Sequence, residues 1–237
     1  MSAKLALLLP ARNEEEGLPR VLPGCLRVAS RANILVVDDG STDATSIVAA
    51  RYGVGVLTLS PGRGKGGALR AGFERLLGEG FDAIVTLDSD GQHDAAVVPQ
   101  FAAVAESERA DLVIGARPTS VSLPRRFANW ASSGLLSAAS GQRVLDAQSG
   151  YRWHRASLLR EISLEGEGFG FETEILVRTL GLHRRIAHVP IATIAANRPS
   201  HIRPIRDVVP LMAQHVTLAM KIAVARSTRR TPRGRAS

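Results

Sequence analysis

Residues 33–43, NILVVDDGSTD, run from an unbroken apolar stretch straight into a turn of acids, glycine and hydroxyls. A strand with one wet face would alternate. Leu35, Val36 and Val37 do not, so both faces of this strand are buried, as in a parallel sheet. The same passage recurs on either side: KLALLL (4–9) leads into PARNEE (10–15), GVLTL (55–59) into SPGRGKGG (60–67), and AIVTL (83–87) into DSDGQHD (88–94). LVI at 112–114 continues the series, and Arg117 closes that strand. Helical patterns near 15–29, 43–52, 66–77 and 96–108 lie between. Strands alternating with helices of this length imply βαβ units, and the fold class expected is α/β with a Rossmann-like, mostly parallel central sheet flanked by helices.

Composition narrows the function. With 237 residues, 45% of them apolar, the chain can bury a full core. Cys25 is its only cysteine, which excludes an internal disulfide and suits a reducing compartment. Leu5 to Leu9 is too short for a signal sequence, and no stretch approaches the roughly 18–20 apolar residues of a membrane span. The net charge of +8 is concentrated at one end: Lys221, Arg226, Arg229, Arg230, Arg233 and Arg235 are accompanied by no acid, and the rest of the chain carries only +2. A basic tail without interleaved aromatics, on a nearly neutral body, argues against nucleic acid and for a disordered arm or a membrane-surface anchor.

Four successive strands end in charged, glycine-rich turns. In open α/β sheets ligands bind outside the carboxyl ends of the strands, so these turns are expected to line one crevice. They offer acids for a cation, Lys65, and glycines for close approach, a combination suited to phosphate plus metal. The GRGKGG loop is no Walker A motif, because no hydroxyl residue follows Lys65. Ser41 or Thr42 with Asp43 reads equally well as a cap on the second helix. Asp88 and Asp90 are more telling. Two carboxylates two residues apart beyond an apolar strand repel unless they share a cation, and the spacing is not that of an EF-hand.

In their order, PARNE, VVDDGSTD, GKG and DSDGQ resemble the family 2 glycosyltransferases, and among them the dolichol- or polyprenyl-phosphate mannosyltransferase-like branch. The likeness continues through DAQSGYR (146–152), GFGFETE (168–174) and VPI (189–191), and covers about residues 4–207. It implies a GT-A fold and an inverting transfer from a nucleoside diphosphate sugar, UDP- or GDP-linked. By position, Pro10, Ala11, Glu14 and Asp39 would hold the nucleoside. Arg12 falls in the same contact stretch, where the branch often has an aromatic residue. Lys65 would lie near the diphosphate. Asp88, Asp90 and Gln92 would hold Mg²⁺ or Mn²⁺, with Asp90 also counted as catalytic. Gly62 stands in place of a common asparagine, and His188 in place of a common acid.

The second half supplies the acceptor side. Arg117, and Arg125 with Arg126, are the residue types that grip a phosphate-bearing acceptor. Asp146, at a recurring family acid, is expected either as a general base for a hydroxyl acceptor or, for an already anionic lipid phosphate, as a positioning group. Glu172 and Glu174 open a helix, where acids are favoured by the dipole. The domain organisation expected is a GT-A domain over 1–204, an amphipathic helix over 205–226 and a disordered basic tail over 227–237. The acceptor is then lipid-linked or otherwise membrane-associated, and the enzyme cytoplasmic, with the 205–226 helix either packed on the body or on a second copy or lying at the membrane face as a peripheral contact. A soluble acceptor is the main rival. A haloacid-dehalogenase-type phosphohydrolase fits poorly, because DSDG follows the fourth strand and Gln92 comes next. The acid pair argues against a non-catalytic nucleotide-sugar-binding protein.

Overall fold

A computed structural model of the chain describes residues 3–117, 123–164 and 170–192. The expected helix over 205–226, the basic tail and the boundary at 204 lie outside these residues. The expected alternation is present: β1 (Leu5–Ala11), α1 (Leu18–Val28), β2 (Ile34–Asp38), α2 (Thr45–Arg51), β3 (Gly55–Thr58), α3 (Gly64–Gly78), β4 (Ala83–Thr86), α4 (Val98–Ser107) and β5 (Leu112–Ala116). It is followed by α5 (Leu123–Ser140), β6 (Arg152–Arg155), α6 (Ala156–Glu161), α7 (Phe171–Gly181) and β7 (Ile186–Pro190).

The strands form one seven-stranded sheet in the order β3-β2-β1-β4-β6-β5-β7. All neighbours are parallel except β6, which runs antiparallel between β4 and β5. Side chains of a strand point alternately to opposite faces, and the core divides accordingly. Ala6 and Leu8 of β1 join Leu35, Val37, Leu69 and Phe73 on one face. Leu7 and Leu9 join Leu18, Leu22, Val36 and Phe101 on the other. All four β1 residues are fully buried, which is why that strand reads as a continuous apolar run. Helix α3 lies directly on β1 at Gly72, where a Cβ would overlap Leu8 Cδ1, so the absent side chain sets how close the helix lies.

Strand β6 is the element that the apolar pattern does not announce. Its residues are Arg152, Trp153, His154 and Arg155, yet Arg152 and His154 are buried. The Arg152 guanidinium and the His154 Nε2 find partners both near and far along the chain, while His154 Nδ1 has none. Thr86 Oγ1 lies 3.3 Å from His154 Nε2, and Arg152 Nε donates to the Ser149 carbonyl at 2.7 Å. Burial holds the His154 imidazole neutral, with its pKa down at about 3.

Candidate active site

The direction of winding reverses between β1 and β4, which places a switch point at their carboxyl ends, where ligands of open α/β sheets bind. Ser89 Oγ donates to the Pro10 carbonyl at 2.9 Å and joins the turn after β4 to the end of β1. The Asp39 amide donates to the Ala11 carbonyl at 2.9 Å. Asp39, 3% exposed, accepts from the Arg63 amide at 2.5 Å, which brings in the turn after β3. Gly62 passes so near that a Cβ there would overlap the Asp39 carbonyl. The exposed Arg12 guanidinium comes within 3.8 Å of Asp39 Oδ2, and the Glu14 amide donates to Thr45 Oγ1 at 2.8 Å. Pro10, Ala11, Arg12, Glu14 and Asp39 are thus gathered where the first three turns meet. Asp43 instead accepts from the Thr45 amide at 3.0 Å and closes the turn into α2, the structural role that its position also allowed.

Lys65, in the first turn of α3, reaches across to the turn after β4. Its Nζ lies 2.7 Å from Asp88 Oδ1 and 2.8 Å from Glu172 Oε1 on α7. Burial works against the Asp88 charge, but the Lys65 ammonium outweighs it and holds Asp88 at about 2. Burial likewise opposes the charge on Lys65, and the two carboxylates overcome it and raise its pKa. His93 is held below its ordinary pKa, first by burial. It is therefore neutral at pH 7, and its 3.9 Å approach to Asp88 is not an ion pair. Asp90 accepts from the Gln92 amide at 2.9 Å and from Gln92 Nε2 at 2.8 Å.

Among the described residues no group of three or more His, Cys, Asp or Glu side chains could hold a metal ion alone. Mg²⁺ and Mn²⁺ do not need such a cage. They favour hard oxygens and are commonly held by one or two carboxylates together with substrate phosphates. Asp88 and Asp90 on one turn fit that pattern.

Arg117 forms a fork with Asp146, Nε to Oδ2 at 2.8 Å and Nη2 to Oδ1 at 3.1 Å. Asp146 is 1% exposed and also accepts from the Gln148 amide at 3.0 Å. Both of its oxygens are engaged, an arrangement that orients an arginine rather than one that leaves a base free. The Arg117 charge is near enough to help lower the Asp88 pKa. Gly150 closes the gap between the two halves: a Cβ there would lie 3.0 Å from Lys65 Nζ and 3.1 Å from Asp88 Oδ2. The side chains of Arg125 and Arg126 lie outside the described residues.

Two residues join the site without having been assigned to it. Glu172 reads in sequence as a helix-opening acid, and Arg152 reads only as part of DAQSGYR. For Glu172 a signal existed. It shares a helical face with Ile175, Leu176 and Thr179, all buried, and an acid on such a face needs a partner.

The family model for Glycosyl transferase family 2 matches residues 7–173. The chain is 34% identical over 209 residues to the undecaprenyl-phosphate mannosyltransferase of Micrococcus luteus, covering 81% of this chain and 84% of that protein. It is 28% identical over 201 residues to the polyprenol monophosphomannose synthase of Mycolicibacterium smegmatis, covering 78% of this chain and 75% of that one. Among solved structures, glucosyl-3-phosphoglycerate synthase from Mycobacterium tuberculosis in complex with Mn²⁺, UDP-glucose and phosphoglyceric acid is similar with a TM-score of 0.72 at 25% identity. That match covers 94% of this chain and 80% of the other.

Proposed function

Because the chain belongs to glycosyl transferase family 2, and is a glycosyltransferase of GT-A architecture, we propose that it moves a sugar with inversion from a UDP- or GDP-sugar to a polyprenyl phosphate-like acceptor. The observation that carries this reading is the gathering of two cationic groups about Asp88: Lys65 paired with it directly, and Arg117, braced by Asp146, near enough to act on its charge.

Pro10, Ala11, Arg12, Glu14 and Asp39 line the nucleoside end. Asp88, Asp90 and Gln92 hold Mg²⁺ or Mn²⁺, and Lys65 reaches the diphosphate. A cation held by these residues would offset charge on the departing nucleoside diphosphate. Arg117 carries five N–H donors, of which Asp146 takes two, so donors remain for an acceptor phosphate. The bond from the anomeric carbon to the diphosphate oxygen breaks, and one to an acceptor phosphate oxygen forms. That oxygen is already anionic and gives up no proton, in keeping with an Asp146 whose oxygens are both occupied.

The donor is tested without knowledge of the acceptor by a thermal-shift panel of UDP, GDP and their sugars, each with and without Mn²⁺. A ligand at 100 times its Kd adds about 2.7 kcal/mol. One nucleoside diphosphate is expected to stabilise the protein, and only with the metal present. No metal-dependent shift with any of them refutes the reading.

No helix among the described residues is long and apolar enough to cross a membrane. We assign contact with an anionic membrane face to the helix expected over 205–226 and the basic tail, at about 1 kcal/mol per basic residue near the surface. Truncation after Ala225 is expected to leave donor binding intact and to reduce sedimentation with anionic vesicles at low salt. Vesicle binding that is absent in the full chain, or unchanged by truncation, excludes this anchor.

A further inference from the structure

We propose that Glu172 is a positioning residue: it holds the Lys65 ammonium so that Asp88 can be released to a divalent cation. The proposal rests on the assignment above of Asp88 to the cation and Lys65 to the diphosphate, and adds a residue that this assignment does not contain. Lys65 Nζ sits between two carboxylates at nearly equal distances, 2.7 Å to Asp88 and 2.8 Å to Glu172. With Asp88 as its sole carboxylate partner, the ammonium would have no protein group to hold it in place when Asp88 turned to a metal, and the diphosphate alone would have to keep a partly buried charge paired. Glu172 supplies the second partner. The exchange of Lys65 for a cation at Asp88 then breaks one ion pair and keeps the other.

The surroundings fix Glu172 for this task. Its side chain is 10% exposed, at the start of α7, where the helix dipole favours an acid. Its own backbone carbonyl accepts from Arg152 Nη1. Arg152 is fully buried and also donates to the Ala147 carbonyl at 2.8 Å and the Ser149 carbonyl at 2.7 Å. One guanidinium therefore fastens the start of α7 to the loop that carries Asp146 and Gly150. Gly150 in turn leaves the space that Lys65 Nζ fills.

The test is Mn²⁺ affinity, measured by calorimetry or by the electron paramagnetic resonance signal of free Mn²⁺, at saturating UDP or GDP, whichever the wild type binds. Outer partners of metal ligands commonly alter metal affinity 10–100-fold, so Glu172→Gln is expected to raise the Mn²⁺ Kd about tenfold. In a Lys65→Met background the same change should shift it by less than about twofold, because the group that Glu172 holds is gone. Should Glu172→Gln fail to fold, Glu172→Asp retains the charge but withdraws it from Lys65, and is expected to raise the Kd only while Lys65 is present. Wild-type affinity in the single variant, or equal losses in both backgrounds, overturns the proposal; equal losses mean that Glu172 acts on the cation or the fold directly. A wild type that binds no Mn²⁺ with either nucleotide overturns the active-site assignment instead.

Discussion

Asp88→Asn lowers the rate of sugar transfer by about 10²–10³-fold and removes the Mn²⁺ dependence of nucleoside diphosphate binding, the scale set by losing a preorganised electrostatic contact at the reacting bond. Asp90→Asn has the same consequence for catalysis, since a two-carboxylate site has no spare ligand. The two variants differ in stability. Asp88 is held near 2 by Lys65 against an ordinary 3.8, and that depression corresponds to about 2 kcal/mol of folding free energy. The sign follows from which state binds the proton: the folded state resists protonation, so the contribution is complete above pH 4 and disappears as pH falls toward 2. Urea titrations at pH 7 should therefore show Asp88→Asn less stable by about that amount, and at pH 3 the gap should have narrowed. Near-normal turnover of either variant at saturating Mn²⁺ places the cation elsewhere.

What could be read from the sequence followed from how burial is distributed. Strands β1, β2, β4 and β5 are legible because parallel strands covered on both faces are continuous apolar runs, and the turns after them are legible because they interrupt those runs with charge. The start of α1 is less legible. The pattern places it near residue 15, but the helix begins at Leu18, because the residues before it are drawn into contacts with the second turn. The Glu14 amide donates to Thr45, and Glu15 Oε2 accepts from the Ala44 amide at 3.0 Å. Strand β6 is illegible locally, since a buried Arg152 is acceptable only after Ala147, Ser149 and Glu172 have brought their carbonyls to it. The site divides in the same way. The acids of DSDG stand out by their spacing alone. That Lys65 meets Asp88, and that both meet Glu172, depends on how α3 and α7 dock on the sheet. The choice between base and positioning group for Asp146 also lay outside its local sequence, because it turns on a fork to an arginine 29 residues away.

That fork carries the second large effect. Arg117→Lys is expected to raise the KM for a short-chain polyprenyl phosphate about 10–100-fold, the loss of charged hydrogen bonds worth about 1.5–3 kcal/mol, because an ammonium cannot serve Asp146 and a phosphate in one plane. Asp146→Asn should produce a similar rise without touching the acceptor itself, since the arginine loses its brace. It also lowers stability by about 3 kcal/mol, toward the lower end for a broken buried pair because the Arg117 side chain keeps 24% of its exposure. A general base would behave differently. Removing it would depress kcat, flatten the acid limb of the pH–rate profile and leave acceptor KM nearly unchanged. The double variant Arg117→Ala with Asp146→Ala separates the two roles. If Asp146 acts through Arg117, the double variant has the acceptor KM of Arg117→Ala alone and shows no further loss of kcat. Additive losses, with the second falling on kcat, would return Asp146 to the role of a base and point to a hydroxyl rather than a phosphate as the attacking group.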